Sequence, residues 1–314
     1  MRILVMGGTR FIGVYLTKLL VEQGYQVTLC NRGNHRPPVE GVREIHCDRR
    51  DGERLKELLS GETFDLIFDN NGRELSDTQP LVEAQWGKFE QFIYMSSAGV
   101  YQASDELPLL ESDPTDPKSR HAGKQETEAY LDHHDLPFTS IRPTYIYGPF
   151  NYNPLETWFF DRIVRDRPIP IPGNGLHITQ FGHVADLAKA MVATIRNPKA
   201  IGAIYNVSGD RYVTFDGLAR ACAIAAGKNP DDLDLVHYDP KKFDFGKRKP
   251  FPLRTQHFFA SNQKAKDELN WQPEFDLVSG LKDSFENDYL KLEKDRDRVD
   301  FSLDNEILDR RDRR

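Results

Sequence analysis

The sequence predicts an α/β fold in which a doubly wound parallel sheet is joined to a smaller, interleaved C-terminal α/β domain. Apolar, strand-like runs alternate with helix-like segments through the first half of the chain. A glycine-rich turn follows the first run, and prolines gather from 143 to 172, where the alternation ends. We therefore expect a large domain at 1–150, completed by parts of 175–210. A smaller domain is expected at 151–290, and a charged tail at 291–314.

Each element follows from the spacing of the apolar residues. The predicted strands are 2–6, 26–30, 43–47, 64–68, 91–95 and 138–142. The predicted helices are 11–23, 51–60, 76–86, 118–133, 184–196, 215–226 and 261–269. Strands that alternate with helices form a parallel sheet with right-handed crossovers, so helices are expected on both faces of the sheet.

Composition and charge narrow the class of protein. The chain has 314 residues, 39% of them hydrophobic, and no apolar run long enough to cross a membrane. The net charge of −7 argues against nucleic-acid binding by the whole surface but allows a local basic patch. Cys30, Cys47 and Cys222 are odd in number and far apart, which indicates a reducing compartment. Because a strand begins at Arg2, leaving no room for a signal or transit peptide, we expect a cytoplasmic protein.

The glycine-rich turn predicts a Rossmann-type dinucleotide site. Glycines allow a tight turn, close approach to a pyrophosphate, and close packing of the helix on the strand. The following helix offers N–H groups and the positive end of its dipole to phosphates. The cofactor-binding residues predicted here are Gly7, Gly8, Thr9, Arg10, Phe11, Ile12 and Gly13. Arg10 stands where the motif has glycine, so its side chain either crowds the phosphates or pairs with them.

Further cofactor contacts are expected where the later strands end. NAD-specific sites carry an acidic residue after the second strand, whereas this chain has Asn31 and Arg32. A cation in place of a carboxylate favours a 2′-phosphate and hence NADP over NAD, unless Arg32 is only a solvated loop residue. Asp48, after the third strand, suits an adenine contact. Asn70 and Asn71, after the fourth, either face the cofactor or cap a turn.

Several motifs in order along the chain resemble those of extended short-chain dehydrogenases/reductases, which include nucleotide-sugar epimerases and dehydratases. These motifs are MSSAGVY at 95–101, RP at 142–143, YGP at 147–149, HVAD at 183–186 and YNV at 205–207. A narrower set resembles the chloroplast stem-loop RNA-binding proteins of 41 kilodaltons, particularly their b form. This set is GGTRFIG, SSAGVY, DPKSRHAGKQETE, SIRPTYIYGPFNYNP, YVTFDGLA, FDFGK and QHFFAS.

The narrower resemblance implies binding of structured RNA, endoribonuclease activity, and association with ribosomes or the transcription machinery. A cyanobacterial type of relative is expected, since no transit peptide precedes the first strand. Relatives commonly pair through the helix at 120–133, so a homo-oligomer is expected as well. A metal-dependent nuclease would use Mg²⁺ held by clustered carboxylates, but the sequence identifies no such cluster and no Cys/His zinc spacing. No metal ligand and no RNA-cleaving residue is therefore predicted.

Redox chemistry in the extended family requires Tyr-x-x-x-Lys on the helix after the fifth strand, and a serine at the end of that strand. The lysine lowers the pKa of the tyrosine, which exchanges a proton with the substrate. Ser97 and Lys124 occupy the serine and lysine positions and are the candidate catalytic remnants, but Arg120 replaces the tyrosine. An arginine does not titrate near neutral pH and cannot exchange this proton. Lys124 could hold a ribose or be a solvated helix lysine.

Two other residues fail to replace the tyrosine. His121 titrates near neutral pH, but one step along a helix rotates it about 100° from the face of Lys124. Tyr238 and Lys242 have the required spacing, but Pro240 would break the helix that the geometry requires. We therefore expect that ordinary dehydrogenase or epimerase chemistry has lapsed.

A cluster of cations in the C-terminal domain predicts contact with RNA. Its predicted RNA-binding residues are Lys241, Lys242, Lys247, Arg248, Lys249 and Arg254, and Phe243, Phe245 and Phe251 are interleaved with them. Cations for phosphates and aromatic rings for bases suit single-stranded or loop RNA. Alternatively, the cations hold the diphosphate of a sugar nucleotide and the rings belong to the core. A second basic region, which would serve RNA or NADP, comprises Arg32, Arg36, Arg43, Arg49 and Arg50.

Three functions are compatible with these observations. The first is a stem-loop RNA-binding protein, with or without metal-dependent cleavage of the RNA. The second is an NADP-dependent epimerase, dehydratase or reductase of nucleotide sugars, favoured by the glycine turn, Ser97 and Lys124. The third is an assembly protein that binds NADP without turnover.

Overall fold

The computed structural model describes residues 1–153, 155–291 and 299–310. The chain forms two compact units, each made of three segments. The first contains Met1–Ile146, Val184–Ser208 and Ala260–Glu274, and the second contains Tyr147–His183, Gly209–Phe259 and Phe275–Arg314. The segment Ala260–Glu274 therefore lies in the first unit, whereas the sequence prediction had placed it in the smaller domain.

The elements are numbered in chain order. The strands are β1 (Arg2–Met6), β2 (Gln26–Asn31), β3 (Arg43–His46), β4 (Leu66–Asp69), β5 (Gln91–Met95), β6 (Phe138–Pro143), β7 (Tyr145–Tyr147), β8 (Ile169–Pro172), β9 (Ile178–His183), β10 (Ala203–Val207), β11 (Tyr212–Thr214) and β12 (Leu235–Tyr238). The helices are α1 (Ile12–Glu22), α2 (Gly52–Leu59), α3 (Leu75–Ala84), α4 (Ala122–His133), α5 (Glu156–Ile163), α6 (Val184–Ala193), α7 (Phe215–Ala225), α8 (Gln263–Leu269), α9 (Leu277–Asn287) and α10 (Ser302–Leu308).

The first unit is built on a seven-stranded sheet with the order β10-β6-β5-β4-β1-β2-β3. All of its strand pairs are parallel. The order reverses between β1 and β4, and in such sheets ligands bind in the crevice at the carboxyl ends of the strands on either side of the reversal. The predicted fold class is therefore confirmed, and the predicted cofactor residues after β1 and β4 lie beside this crevice.

Alternating residues of the central strands pack against helices on opposite faces of this sheet. On one face, Ile3 and Val5 belong to a core that includes residues of α1 and α6: Leu16, Leu20, Leu187 and Met191. On the other, Leu4 and Met6 belong to a core with residues of α2, α3 and α4: Leu55, Leu59, Leu81, Val82 and Leu131. Burial on both faces explains why the strands appear in the sequence as continuous apolar runs.

The second unit contains the antiparallel pair β11 and β9 and the parallel pair β12 and β8. The predicted charged tail is only partly described, since 292–298 and 311–314 lie outside the described residues. Its described part contains α10, in which Asp304 and Ile307 are buried. This part of the predicted charged tail is therefore a docked helix. In the described ranges, no helix has the length and apolar character that a membrane crossing requires.

Candidate functional site

The glycine turn after β1 is packed so tightly that side chains are excluded from it. A Cβ at Gly13 would lie 2.1 Å from Gly7 O, and a Cβ at Gly8 would lie 2.8 Å from Thr17 Oγ1. Gly7 has a φ of +79°, which residues with side chains rarely adopt. The turn therefore runs directly against the start of α1, the close approach that a dinucleotide turn requires.

Arg10 is exposed at this turn. Its neighbour Phe11 is buried and has a φ of +43°. Thr9 and Ile12 are partly buried. The side chain that departs from the glycine motif thus points away from the packed interior of the turn.

Asn70 and Gly7 meet across the crevice between β4 and β1. Asn70 Nδ2 donates a hydrogen bond of 3.2 Å to Gly7 O. Asn70 Oδ1 is buried and has no hydrogen-bond partner among the residues that the structure describes. Since a buried acceptor without a donor costs free energy, Asn70 is well suited to accept a hydrogen bond from a bound ligand.

Asn71, by contrast, is exposed, but its side chain bonds within the protein to a buried pair, Arg49 and Asp69, that the sequence did not predict. Its Oδ1 accepts a hydrogen bond from Arg49, which also binds both carboxylate oxygens of Asp69, at 2.6 and 2.7 Å. Asp69 further accepts from Thr78 Oγ1 at 2.6 Å and from Gly72 N at 3.0 Å. Arg49 is therefore a buried structural residue. Its assignment to a basic region for RNA or NADP was wrong, because its guanidinium is occupied.

The residues predicted at the adenosine end lie where β2 and β3 end. Arg32 and Asp48 are exposed, and Asp48 Oδ1 accepts a hydrogen bond of 3.1 Å from Arg50 N. Asn31 Nδ2 donates to Glu44 Oε2 at 3.2 Å. Glu44 therefore places a carboxylate next to Asn31, although no acidic residue follows β2 directly. This carboxylate was missed because its position depends on the pairing of β2 with β3.

Ser97 and Lys124 both engage the backbone near the end of β5. Ser97 Oγ accepts a hydrogen bond of 3.0 Å from Gly99 N. Lys124 Nζ donates to Gly72 O at 2.9 Å and also to Met95 O. Burial lowers the pKa of Lys124 to about 8, although Asp69 acts in the opposite direction. Lys124 is thus a partly buried residue held by the end of the sheet, which disfavours the interpretation as a solvated lysine.

The tyrosine position lies outside the helix that carries Lys124. The predicted helix at 118–133 begins only at Ala122, and Arg120 is exposed in the preceding turn. Arg120 Nε donates to His121 Nε2 at 3.1 Å. His121 therefore precedes the first helical residue, and the prediction that helical rotation turns it away from Lys124 was wrong. Position 120 still carries an arginine in place of the tyrosine that the redox chemistry requires.

Tyr94 is a phenol close to Lys124, but it does not fit the missing role. The Lys124 ammonium lies 5.3 Å from the centre of the Tyr94 ring, and Tyr94 OH donates to Gly72 O at 3.3 Å. Burial raises the pKa of Tyr94 well above its usual value. A buried phenol that holds its proton this tightly cannot exchange it at neutral pH.

The second Tyr-x-x-x-Lys pair lacks helical geometry, as expected. Pro240–Lys242 forms a single 3₁₀ turn, with Asp239 accepting a hydrogen bond of 3.0 Å from Lys241 N. Tyr238 is buried at the end of β12, whereas Lys242 is exposed. The pair therefore does not present two side chains on one helical face.

The basic segment, which we define as residues 241–254, keeps most of its cations in solvent. Lys241, Lys242, Lys247, Arg248 and Lys249 are exposed. Arg254 differs, since it is partly buried with its guanidinium 4.6 Å from the centre of the Phe258 ring. Five of the six predicted RNA-binding cations are thus on the surface of the second unit.

Only part of the predicted aromatic surface is accessible. Phe251 is 5% exposed and packs against Phe159 and Phe215, so it is a core residue. Phe243 and Phe245 are partly exposed instead, and their rings stack on each other. The interpretation of Phe251 as a base platform was wrong, because its ring fills the interior of the unit.

The described ranges contain no group of three or more His, Cys, Asp or Glu residues placed to hold a metal ion. The three cysteines are free and buried. No ligand set can therefore be named.

Comparison with known proteins agrees with this architecture. The sequence model of the NAD dependent epimerase/dehydratase family matches residues 3–208. A chloroplast stem-loop binding protein, that of 41 kDa b from Arabidopsis thaliana, is 51% identical over 99% of this chain and 85% of its own length. Both resemblances inferred from the motifs are therefore confirmed.

Solved structures of sugar-nucleotide epimerases share the fold. The UDP-glucose 4-epimerase of Thermotoga maritima has a TM-score of 0.77 at 22% identity, over 93% of this chain and 99% of that one. The UDP-glucuronic acid 4-epimerase of Bacillus cereus has a TM-score of 0.74 at 21% identity, over the same shares. At these identities the likeness concerns the fold alone. Together, the parallel sheet, the glycine turn and the family match show that this chain is a member of the NAD dependent epimerase/dehydratase family.

Proposed function

We propose that this protein binds structured RNA through the basic segment of its second unit. The observation that carries the proposal is the exposure of Lys241, Lys242, Lys247, Arg248 and Lys249 within nine consecutive positions, beside two accessible phenylalanine rings. Such cations neutralise phosphates, and partly exposed rings stack on unpaired bases. The relative from Arabidopsis, whose name states stem-loop binding, supports this choice of ligand.

We further infer that ordinary oxidoreductase turnover has lapsed in this chain. Proton exchange with a sugar hydroxyl needs a group that titrates near neutral pH and can reach the substrate. Position 120 carries an arginine, a residue type that does not give up its proton in proteins, and Tyr94 is buried with a raised pKa. Ser97 and Lys124 remain, so the chain keeps positioning groups without the acid/base residue.

Binding of NAD(P) is a separate part of the proposal. The turn at Gly7, Gly8 and Gly13 would hold the pyrophosphate, and Asn70 Oδ1 would accept a hydrogen bond from the cofactor. Bound NAD(P) supplies a hydride acceptor or donor. The Lys124 ammonium has three donor hydrogens, and two of them bind backbone carbonyl oxygens. The third would be left to donate a hydrogen bond to a ribose hydroxyl. NADP is favoured by Arg32 and opposed by Glu44.

Cleavage of the RNA with Mg²⁺, association with ribosomes or the transcription machinery, a cytoplasmic location and a homo-oligomeric state stay proposals drawn from the sequence. The relative from Arabidopsis thaliana is chloroplastic by its name, so it does not support a cytoplasmic location. Cleavage would be tested by incubating a stem-loop RNA with and without Mg²⁺ and sizing the products. Products that require both protein and Mg²⁺ support cleavage, and intact RNA overturns it.

The RNA proposal is tested by charge reversal in the basic segment. The triple variant K247E/R248E/K249E is compared with K18E/K118E/K199E, which changes three exposed cations of the first unit and thus shifts the net charge equally. We expect the first variant to lose stem-loop RNA retention and the second to keep most of it. Equal retention by both variants would mean that the basic segment is not the RNA site.

The runner-up function is NADP-dependent conversion of a nucleotide sugar, which the retained Ser97 and Lys124 favour. It is tested with a panel of nucleotide sugars at high protein concentration. Cofactor-dependent conversion would establish this function and refute the lapse of the chemistry. Cofactor binding with neither conversion nor RNA affinity would instead favour a non-catalytic assembly protein.

A further inference from the structure

Phe243 and Phe245 form a stacked pair at the surface of the second unit. Their ring centres are 5.3 Å apart with planes only 5° from parallel, which is an offset stack. Both rings are partly exposed, whereas Phe251, Phe258 and Phe259 of the following stretch are buried. Aromatic rings with accessible surface next to cations are the usual stacking partners of unpaired bases.

Arg310, from the C-terminal segment, covers Phe243. Its guanidinium carbon lies 4.4 Å from the centre of the Phe243 ring, and its Nη1 donates a hydrogen bond to Lys242 O. A planar guanidinium stacks on an aromatic ring through cation–π attraction. Arg310, Phe243 and Phe245 therefore form three planar groups in contact, which we call the stacked column.

The segment that carries Arg310 is anchored by buried contacts in the same unit. Asp304 of α10 accepts a hydrogen bond of 2.7 Å from Arg162, and both side chains are buried. Asn305 accepts another of 2.7 Å from Arg167, whose guanidinium lies 4.2 Å from the Phe301 ring. These contacts fix the position from which Arg310 reaches the stacked column.

A tight turn places three cations directly after the stacked column. Asp244 accepts a hydrogen bond of 3.0 Å from Gly246 N, and Arg248 N donates to Phe245 O at 3.0 Å. Gly246 has a φ of +57°, which suits a turn of this kind. Lys247, Arg248 and Lys249 therefore follow Phe245 at once, close enough to contact the phosphates that flank a stacked base.

We propose that the stacked column is a nucleobase platform: an unpaired base of the RNA loop stacks on Phe245, and the C-terminal helix is part of the RNA site. This proposal rests on the proposed RNA binding and deepens it, since it names the residue that takes a base. Stacking on a neutral ring contributes affinity that is independent of salt, whereas the neighbouring lysines contribute affinity that falls with salt. The two contributions can therefore be separated in one experiment.

The experiment uses the full chain and a stem-loop RNA with 2-aminopurine at one loop position, since stacking quenches its fluorescence. Phe245→Ala is compared with Phe89→Ala, which removes a partly exposed ring of the first unit, and with Phe245→Trp, which keeps a stacking surface. We expect F245A to lose roughly tenfold in affinity, and to lose the quenching, with an unchanged salt slope. F89A and F245W should keep the wild-type affinity and the quenching. The double variant K247Q/K249Q keeps the quenching but has a shallower salt slope.

Three outcomes would overturn the inference. Wild-type affinity and quenching in F245A, while the wild type binds RNA, would refute the platform and leave the proposed RNA binding intact. Equal affinity for the stem-loop and for a fully paired duplex of the same length would also refute the platform alone, because a duplex offers no unpaired base. No binding of any RNA by the wild type at low salt would refute the proposed function itself, and the platform with it.

Discussion

Arg49, in the segment after β3, and Asp69, at the end of β4, form a buried, two-point ion pair with nitrogen–oxygen distances of 2.6 and 2.7 Å. Although burial alone would raise it, the pKa of Asp69 lies below its usual value, because Arg49 and Thr78 bind the charged carboxylate. The pair holds the end of β4 against the segment after β3. It therefore shapes the edge of the sheet from which Asn70 reaches the turn.

Replacing one partner of this pair should destabilise the fold strongly. Asp69→Asn leaves Arg49 buried without its counter-charge, which costs about 3–5 kcal/mol. The measurement is urea unfolding at neutral pH, with Glu57→Gln as control. That variant removes an exposed ion pair with Arg54, for which we expect a much smaller loss of stability.

The same variant should change the response to acid. A carboxyl with a depressed folded-state pKa contributes stability above its unfolded pKa and loses it as pH falls through the folded pKa. The wild type should therefore lose more stability than D69N when the pH is lowered below about 4. Parallel losses in the two proteins would contradict the ion-pair account.

The glycine turn predicts that Gly13→Ala disrupts the cofactor site. The added Cβ would lie 2.1 Å from Gly7 O, so the turn must move away from α1. We expect at least a tenfold loss of NAD(P) affinity by calorimetry, together with lower stability. Gly61→Ala is the matched control, because its Cβ would meet no atom within 4 Å. Equal cofactor affinity in the two variants would contradict the assignment of the turn.

We expect the choice between NADP and NAD to depend on two side chains of opposite charge. Glu44 lies beside Asn31, where its carboxylate would repel a 2′-phosphate, whereas exposed Arg32 would attract one. Glu44→Gln should therefore raise the affinity for NADP relative to NAD several-fold, and Arg32→Ala should lower it. Calorimetric titration with both cofactors measures the ratio. An unchanged ratio in both variants would place the adenosine ribose elsewhere.

The contribution of Lys124 to the free energy of unfolding should change with pH in the alkaline range. Burial lowers its pKa from 10.5 to about 8, so the unfolded chain binds this proton more tightly than the folded chain. The contribution of Lys124 to stability therefore improves as pH rises from about 8 to about 10.5. The difference in unfolding free energy between the wild type and Lys124→Met should grow over this interval. Lys118→Met, which alters an exposed lysine, is the control, and the same pH dependence in both variants would contradict the effect of burial on Lys124.

The fold could be predicted because parallel strands buried on both faces appear as unbroken apolar runs. The stretch Gln91–Met95 is buried at every residue and was assigned without error. The start of α4 was predicted four residues too early, since it depends on tertiary contacts of the preceding turn. Ser119 Oγ donates to Gly99 O at 2.7 Å and accepts from His121 N, which keeps residues 118–121 out of the helix.

The residues of a candidate site could be predicted from the sequence only where they lie together in one short motif. Glycines of one turn are visible in the sequence, but Arg49 and Asp69 pair through the sheet order, which local sequence does not specify. Burial of Phe251 likewise depends on Phe159 and Phe215, far along the chain.

The sequence contains only a weak indication of the docked C-terminal helix, namely the apolar residues Phe301 and Ile307 on either side of Asp304. The surrounding charges, which are typical of a solvated tail, obscured it.

We propose that the exposed cations of the basic segment bind structured RNA. The most direct measurement is the affinity of the purified protein for a stem-loop RNA and for an unstructured RNA of equal length, over a series of salt concentrations. We predict preference for the stem-loop and an affinity that falls steeply as salt rises, because phosphate contacts release counterions. No binding to either RNA at low salt would contradict the claim and leave the cofactor crevice as the functional site to pursue.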